Sequence, residues 1–141
     1  PPSQKFSFNL QENISLYGGF RGNEVNLEQR NPASFPTILS ADLFRDDCSN
    51  PKDPFCGMRE NVHHIFYAQD ITEPIFIDGF TIRSGYAQAY GGNQWHGGGI
   101  WAKNATLNIR NCIFEQNEFL NKITFTYKYS YCLFLREVCS G

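Results

Sequence analysis

The chain has 141 residues, enough for one domain with a core but too few for two well-separated domains. Aromatic residues make up 16% of the chain and charged residues only 18%, a composition that favours folding over intrinsic disorder. The formal net charge is −2 and there is no run of Lys or Arg, which argues against an electrostatic surface for nucleic acid or for an anionic membrane.

The chain starts with Pro1, Pro2 and Ser3, without an initiator Met or an apolar signal region. We therefore expect a processed chain or a portion of a longer one, and its export cannot be inferred from its start. The apolar cluster from Cys132 to Leu135 is far shorter than the roughly 18 residues that a transmembrane helix needs. No membrane-spanning segment is predicted.

In chain order, the predicted elements are strands, because no segment keeps apolar residues at helical spacing for three turns and Gly, Pro and Asn recur too often. The predicted strands are Phe6 to Leu10, Ile14 to Tyr17, Thr37 to Leu39, Val62 to Ala68, Ile75 to Ile82, Gly99 to Ala102 and Leu107 to Phe114. Long polar stretches connect them at 21–36, 42–61 and 84–98.

Two of these segments repeat each other. The stretch IFIDGFTIRSG at 75–85 aligns without a gap, at an offset of 32 residues, with LNIRNCIFEQN at 107–117. The alignment places Ile77 on Ile109, Gly79 on Asn111, Phe80 on Cys112, Ile82 on Phe114 and Gly85 on Asn117. A looser copy, ISLYGGF, lies at 14–20.

The shared pattern predicts strands that bend at Gly or Asn. Alternation buries one face of each strand, and Gly or Asn tolerates the left-handed backbone that turns the chain onto a new strand. A unit with one apolar face cannot close a core alone, whereas successive units stacked strand on strand can. We therefore predict an all-β fold, specifically a parallel β-helix (solenoid), with Cys112 pointing into its core and the loop YAQAYGGNQWHGG inserted into one coil.

The motifs also carry a family resemblance. SLYGGFRGNEVNLEQRNPASFPTILSADL, IDGFTIRSGYA, GGGI and NCIFEQN together resemble the right-handed parallel β-helix proteins of the pectin-lyase-like superfamily. GGGI (Gly97 to Ile100) and F-x-x-N (Phe114 to Asn117) are similar to the repeats of polymorphic outer-membrane proteins. The resemblance runs from about Phe6 to Asn117 and implies a secreted or surface-anchored solenoid.

The chain departs from that family in two ways. It holds only one full unit from GGGI to FxxN, so we expect a fragment with few coils. After Asn121 the stretch ITFTYKYSY alternates without a Gly or Asn turn signature. We assign 1–121 to β-helix coils with long inserted loops. Residues 122–141 are assigned to an aromatic-rich capping strand or to a tail unrelated to the solenoid.

The five cysteines at positions 48, 56, 112, 132 and 139 lack the paired spacing of a zinc ribbon. Cys48 and Cys56 bracket a polar, loop-like stretch, which makes a short disulfide in an oxidising compartment one alternative and free thiols the other. Two N-x-S/T sequons, at Asn13 and Asn104, agree with an extracellular setting, although this short motif is also common by chance.

Acidic residues are the first candidates for chemistry. Those that a polysaccharide lyase or hydrolase could use are Asp42, Asp46, Asp47, Asp70 and Asp78, with Arg83 as a candidate base or charge stabiliser. The resemblance implies that Asp42, Asp46 and Asp47 could bind calcium if the chain is an enzyme. Their spacing matches no closed calcium loop, so we favour solvated loop carboxylates. Asp78, Arg83 and Glu115 are interpreted as outward-facing surface residues.

Histidines and aromatic residues are the remaining candidates. His63 and His64 lie in a predicted strand whose alternation sends them to opposite faces, which is unfavourable for binding one metal ion. We therefore expect structural or exposed histidines. The aromatic side chains around the glycine trio, which could stack on sugars or meet a protein, are Tyr86, Tyr90, Trp95 and Trp101. We favour structural roles, with Trp101 capping the core and Trp95 shielding the loop. No residue is assigned as catalytic, cofactor-binding or metal-binding.

We expect a secreted or cell-surface solenoid that acts without catalysis as a structural, adhesive or glycan-binding scaffold. Its expected partner is an extracellular glycan or protein surface, and no cofactor is expected. The alternative is a carbohydrate-active enzyme of the pectate-lyase type, which would use calcium, because one fold carries both kinds of function. A further alternative is that the fragment has no activity by itself.

Overall fold

The computed structural model describes residues 6–53, 55–87 and 98–119, and this part of the chain is built almost entirely of short strands. The strands are β1 Phe8–Asn9, β2 Ser15–Tyr17, β3 Thr37–Ser40, β4 Phe66–Gln69, β5 Ile75–Asp78, β6 Phe80–Arg83, β7 Tyr86–Ala87, β8 Ile100–Lys103, β9 Leu107–Arg110, β10 Ile113–Glu115 and β11 Glu118–Phe119. Two 3₁₀ turns lie at Leu27–Gln29 and Met58–Glu60. Among the described residues, none of the helical segments is long and apolar enough to cross a membrane.

The strands pair in parallel across four sheets. Sheet A has the order β1-β4-β8, sheet B the order β2-β5-β9, sheet C the order β3-β6-β10, and sheet D pairs β7 with β11. The chain runs through sheets A, B and C in that order three times. We call these runs the first pass (8–40), the second pass (66–87) and the third pass (100–119). The expected all-β class is confirmed.

The strand register confirms the internal repeat. Ile77 pairs with Ile109 in sheet B, and Ile82 pairs with Phe114 in sheet C, as the alignment places them. Leu16 of the looser first copy pairs with Ile77 on the other side. The repeat of the sequence is therefore a repeat of positions in space.

Each of the two longest predicted strands is split by one left-handed turn. Gly79 (φ 87°) separates β5 from β6, and Asn111 (φ 50°) breaks the chain between β9 and β10. This confirms the prediction that Gly or Asn turns the chain at these positions. The strand predicted from Val62 was wrong at its start, since β4 begins only at Phe66.

At the next corner the left-handed residues are not Gly or Asn. They are Ser84 (φ 64°) and Gln116 (φ 54°), one position before Gly85 and Asn117. Gly85 instead allows a close backbone approach, because a Cβ there would overlap the carbonyl of Gly98. Asn117 fastens this corner: its Oδ1 accepts the Gly85 N–H (3.0 Å) and its Nδ2 donates to the carbonyl of Ile82 (2.8 Å).

The core lies on the inner faces of sheets A, B and C. In β5 the alternation is clear, because Ile75 and Ile77 are fully buried while Phe76 between them is 40% exposed. Cys112 is half-buried and packs against this core, with its Sγ 3.7 Å from the carbonyl oxygen of Ile77. The inward position that its alignment with Phe80 predicts is therefore confirmed.

The corners are joined from pass to pass by side-chain amides. Asn104 Nδ2 donates to Asp70 Oδ1 (2.7 Å) at the corner between sheets A and B. Asn111 Nδ2 donates to Asp78 Oδ1 (2.8 Å) at the corner between sheets B and C. Each bond links the third pass to the second, so these polar side chains add connections to the parallel ladders.

The long connections lie within the first pass and between the first and second passes. Residues 18–36 connect β2 to β3, and residues 41–65 lead from β3 to β4, apart from position 54. Cys48 and Cys56 form a disulfide in the second of these loops, with Cα atoms 5.4 Å apart. The disulfide alternative is thus the correct one. The predicted tail at 122–141 and most of the inserted loop at 86–98 lie outside the described residues.

Candidate functional site

Three carboxylates converge in the loop after β3. Oxygens of Asp42, Asp46 and Glu60 all lie within 4.8 Å of one another. Asp42 and Asp46 belong to the predicted candidates, whereas Glu60 was not predicted. We call this group the acidic cluster.

Local structure explains how residues so far apart in the chain meet. The Asp46 N–H bonds to Asp42 Oδ1 (3.2 Å), which folds residues 42–46 into a tight loop. The disulfide then reverses the chain, and the Cys48 N–H bonds to the Cys56 carbonyl (3.1 Å). Gly57 has φ 78°, and a Cβ there would collide with the Asp46 backbone. The 3₁₀ turn that follows delivers Glu60.

Asp47 does not join the acidic cluster. Both its carboxylate oxygens accept bonds from Nδ2 of Asn61, at 3.0 and 3.1 Å. Asn61 is fully buried and also donates to the carbonyl of Ser84 (2.9 Å), so it ties the loop to the second pass. Asp47 was a possible ligand beside Asp42 and Asp46 only under the enzyme alternative, and its carboxylate has a structural partner in Asn61.

The electrostatics of the acidic cluster favour a proton or a cation. Burial raises the pKa of the Glu60 carboxyl, and a hydrogen bond with Asp46 together with the charges of Asp46 and Asp47 raises it further. Glu60 Oε1 is buried and has no hydrogen-bond partner among the described residues. A hard cation that takes oxygen ligands would satisfy this oxygen and relieve the repulsion. The donor set therefore fits Ca²⁺, with the remaining ligands supplied by water or backbone oxygens.

The other acidic candidates serve the corners. Burial by itself would raise the pKa of Asp78, but hydrogen bonds from Arg30 and Asn111 and the charge of Arg30 hold it below its ordinary value. Arg30 Nη2 lies 2.8 Å from Asp78 Oδ2, and both side chains are only 13% exposed. Asp78 faces away from the core, as its position in the repeat predicts, but its side chain is largely covered and paired with Arg30, which the sequence did not predict.

The remaining charged candidates lie elsewhere in the stack: Asp70 at the corner between sheets A and B, and the pair Arg83–Glu115 in sheet C. Hydrogen bonds from Gln69 and Asn104 lower the pKa of Asp70. Arg83 and Glu115 are register partners in sheet C, with Nη1 and Oε1 3.9 Å apart and both side chains more than 40% exposed. Their surface position is confirmed. None of these three residues belongs to the acidic cluster.

The two histidines are buried in the described structure. His63 and His64 precede β4 rather than lying in it, and their ring centroids are 6.3 Å apart. His63 Nδ1 lies 3.0 Å from the Tyr86 carbonyl. Of the two expected placements, structural or exposed, both histidines have the structural one. The alternation argument behind the expectation fails, because this segment is not a strand.

Among the candidate aromatic residues, two are described and both are buried. Trp101 stacks on Tyr67 with ring centroids 4.5 Å apart and planes 9° apart. Tyr86 packs on Phe55, with centroids 5.7 Å apart. Trp101 thus has the structural role that we favoured. Tyr90 and Trp95 lie outside the described residues, so their predicted roles stay predictions.

A groove of about 710 Å³ lies between the 27–36 loop and the corner of sheets B and C. Its walls combine apolar surface from Pro32 and Ile113 with the amide groups of Asn31 and Asn111. Cys112 also lines it, and burial raises the pKa of its thiol, so the thiolate is disfavoured. Sequence reasoning missed this groove, because the residues of its corner wall lie about 50 and about 80 residues after those of the 27–36 loop.

Comparisons with protein-family models, with curated proteins and with solved structures found no match to this chain.

Proposed function

We propose that the protein is a secreted or cell-surface β-helix that acts as a structural, adhesive or glycan-binding scaffold. The observation that carries the proposal is the threefold passage through sheets A, B and C in constant order and parallel register. Stacking of this kind extends one core along one axis, which suits a rigid projecting element. The described residues would then be three coils.

The disulfide supports the extracellular part of the proposal. Cys48 and Cys56 are bonded in a loop that packs beside the second pass, and structural disulfides persist in oxidising compartments. The family resemblance to secreted solenoids points the same way.

The groove supports the binding part of the proposal. A volume of about 710 Å³ falls within the usual range of ligand sites, and its mixture of apolar walls and amide groups suits a sugar, which has apolar faces and hydroxyl edges. Ile113 is 50% exposed on the outer face of β10 and offers apolar surface for such a contact.

The alternative function is a calcium-dependent carbohydrate-active enzyme, and the acidic cluster is the observation that favours it. Asp42, Asp46 and Glu60 would hold the cation, which would supply charge stabilisation for a uronate substrate. The scaffold remains our conclusion, because Asp70 and Asp78, the other acidic candidates, are held by bonds that build the corners.

One experiment separates the two functions. The full chain is incubated with polygalacturonate and Ca²⁺, and unsaturated product is followed by ultraviolet absorbance. We expect no product. Sustained product formation that is lost in Asp46→Asn but kept in Glu73→Gln, an exposed carboxylate outside the acidic cluster, would establish the enzyme and overturn the scaffold.

A second experiment tests the groove. Binding of the chain to a panel of extracellular polysaccharides is compared for Ile113→Lys and for Phe76→Lys, which changes an equally outward-facing residue in sheet B. Loss of binding by at least about tenfold, roughly 1.4 kcal/mol, is expected only for Ile113→Lys. Equal retention in both variants would exclude the groove as the binding surface.

A further inference from the structure

The two sequons lie on the same edge of the protein. Asn13, of Asn13-Ile14-Ser15, follows β1 and precedes β2, and Asn104, of Asn104-Ala105-Thr106, follows β8 and precedes β9. Both therefore lie where the chain turns from sheet A to sheet B, one on the first pass and one on the third. These two are the only N-x-S/T motifs in the sequence.

Both asparagines have the placement that a glycan needs. Each is exposed, and each has a left-handed backbone, with φ 61° at Asn13 and φ 50° at Asn104. Such a residue stands at a turn between two strands, and its exposure leaves the side chain in reach of solvent. From this shared placement we propose that Asn13 and Asn104 are both N-glycosylated, so that two glycans line the edge between sheets A and B.

The second pass separates the two sites. At the same corner it carries Asp70, which is also left-handed (φ 53°) and exposed but cannot accept an N-glycan. Parallel neighbours lie about 4.8 Å apart, so two steps separate the first and third passes by roughly 10 Å at this edge. Asn104 follows β8 directly whereas Asn13 lies nearer to β2, so the two acceptors are at least that far apart. The second pass then lies between the two glycans, which limits crowding of one glycan by the other.

The corner bond of Asn104 is compatible with modification. In N-glycosylation the amide nitrogen bonds to the anomeric carbon of an oligosaccharide donated by a polyprenyl pyrophosphate. The bond from that carbon to the pyrophosphate oxygen breaks, the pyrophosphate leaves, and the amide nitrogen loses one proton. One N–H remains on Nδ2 and can still donate to Asp70, whose Oδ1 lies 2.7 Å away.

The modified edge leaves the groove accessible. Neither acceptor asparagine lines the groove, which lies at the corner between sheets B and C. Glycans would therefore cover one side of the protein while the other remains available for a partner. This inference rests on the export that the proposed function includes, but not on the identity of the groove's ligand.

The test is expression of the full chain behind a secretory signal in a eukaryotic cell. Secreted and cell-retained protein are both analysed by mass spectrometry, before and after enzymatic release of N-glycans, so the result does not depend on efficient secretion. We expect two glycans, at Asn13 and Asn104. A chain without glycans in both fractions, or with only one, would overturn the proposal.

Matched variants assign each glycan without changing an asparagine. Ser15→Ala and Thr106→Ala should each remove one glycan and leave Asn104 able to bond to Asp70, while Thr106→Ser should keep both. The glycosylated and the enzymatically deglycosylated proteins should resist protease equally; glycans confined to protease-sensitive, retained chains would contradict their place on the folded edge. Because Ile113→Lys should stay glycosylated, failure of the groove and failure of this inference are distinguishable.

Discussion

The corner between sheets B and C is built in two different ways within one molecule. On the second pass it is a single residue, Gly79, and on the third it is Asn111 and Cys112. On the first pass the same corner takes residues 18–36. The second and third passes are thus fixed by local backbone geometry, whereas the first pass depends on contacts made by its loops.

Arg30 shows how the first-pass loop is fastened. Its Nη1 donates to the carbonyls of Gly18 (3.2 Å) and Asp78 (3.4 Å), and its Nη2 pairs with the Asp78 carboxylate. The guanidinium also lies over the ring of Tyr17, 5.2 Å from its centroid. One side chain therefore joins the loop to the first and second passes. A short corner does not need such a contact. Stacking therefore fixes the sheets, whereas the inserted loops must be fixed by side-chain contacts.

The largest expected effect comes from the middle of the stack. Ile77→Ala should lower the free energy of unfolding by about 3 kcal/mol, because it leaves a cavity at a fully buried position between two neighbouring strands. Leu16→Ala, at the register partner on the half-buried first pass, should cost less. Urea unfolding of both variants measures the difference, and equal losses would show that the first pass is as well packed as the second.

The next effect concerns the loop that forms the acidic cluster. Replacing Cys48 and Cys56 together by Ala should destabilise the protein by about 2.5 kcal/mol, given the eight-residue separation of the two cysteines. Hydrogen exchange should accelerate mainly at 42–60 and much less in β5, β6, β9 and β10. Uniform acceleration of exchange in all sheets would mean that the loop and the stacked strands unfold as one unit. The loop would then not be held separately from the sheets.

A smaller loss is expected where the other loop is fastened. Arg30→Met should cost about 2 kcal/mol, since it leaves the half-buried Asp78 without its main cation. Asp78→Asn is the matched variant, because it removes the charge and keeps the shape. Thermal unfolding measures both. If Arg30→Met has the same thermal stability as the unmodified protein, the 18–36 loop is held by other contacts and the bonds of Arg30 do not stabilise it.

The Arg30–Asp78 pair should also make the stability of the protein depend on pH. The folded pKa of Asp78 is held below its unfolded value of about 3.9, so its contribution to stability is complete above that pH and is lost as the pH falls through the folded pKa. The stability advantage of the unmodified protein over Asp78→Asn should therefore be present at pH 7 and should shrink below about pH 4. An advantage that persists in strong acid would contradict this.

The sequence predicts the strands of sheets A, B and C on all three passes, apart from the start of β4. It also predicts the short corners between sheets B and C, but not the contacts of the long 18–36 loop, for a physical reason. The turns at Gly79 and Asn111 are local events, so alternation and a tolerant residue predict them, and the offset of 32 follows. Sheet D was missed because β7 and β11 have two residues each, too few to show alternation. Their pairing depends on the neighbouring strand, which a local pattern does not contain.

Two of the three residues of the acidic cluster were candidates from the sequence, and the third was not. Asp42 and Asp46 are near each other in the chain, so their proximity is visible in the sequence. Glu60 reaches them only because the disulfide and Gly57 reverse the loop. Asp47 is as close in the chain, but the buried Asn61 binds it instead. Chain proximity could not tell these two outcomes apart.

The smallest effect tests the acidic cluster itself. Glu60→Gln should stabilise the protein at pH 7 in the presence of a chelator, by less than about 1 kcal/mol, because it removes a carboxylate that is buried against Asp46. Glu60 has a folded pKa above its unfolded value of about 4.3, so charging it opposes folding at neutral pH. That cost should vanish as the pH falls below about 4.3, and the gain from the substitution should vanish with it.

Calcium should reverse the order of stability of the unmodified protein and Glu60→Gln. If the acidic cluster binds Ca²⁺, adding the ion raises the unfolding midpoint of the unmodified protein and of the control Glu73→Gln, but not that of Glu60→Gln. Urea midpoints at pH 7, with chelator and with excess Ca²⁺, decide the matter. An unchanged midpoint in all three proteins would leave protonation of Glu60 as the means by which the 41–65 loop relieves its charge. A calcium-dependent rise confined to proteins with Glu60 would make the least repetitive part of the chain its ion-binding part.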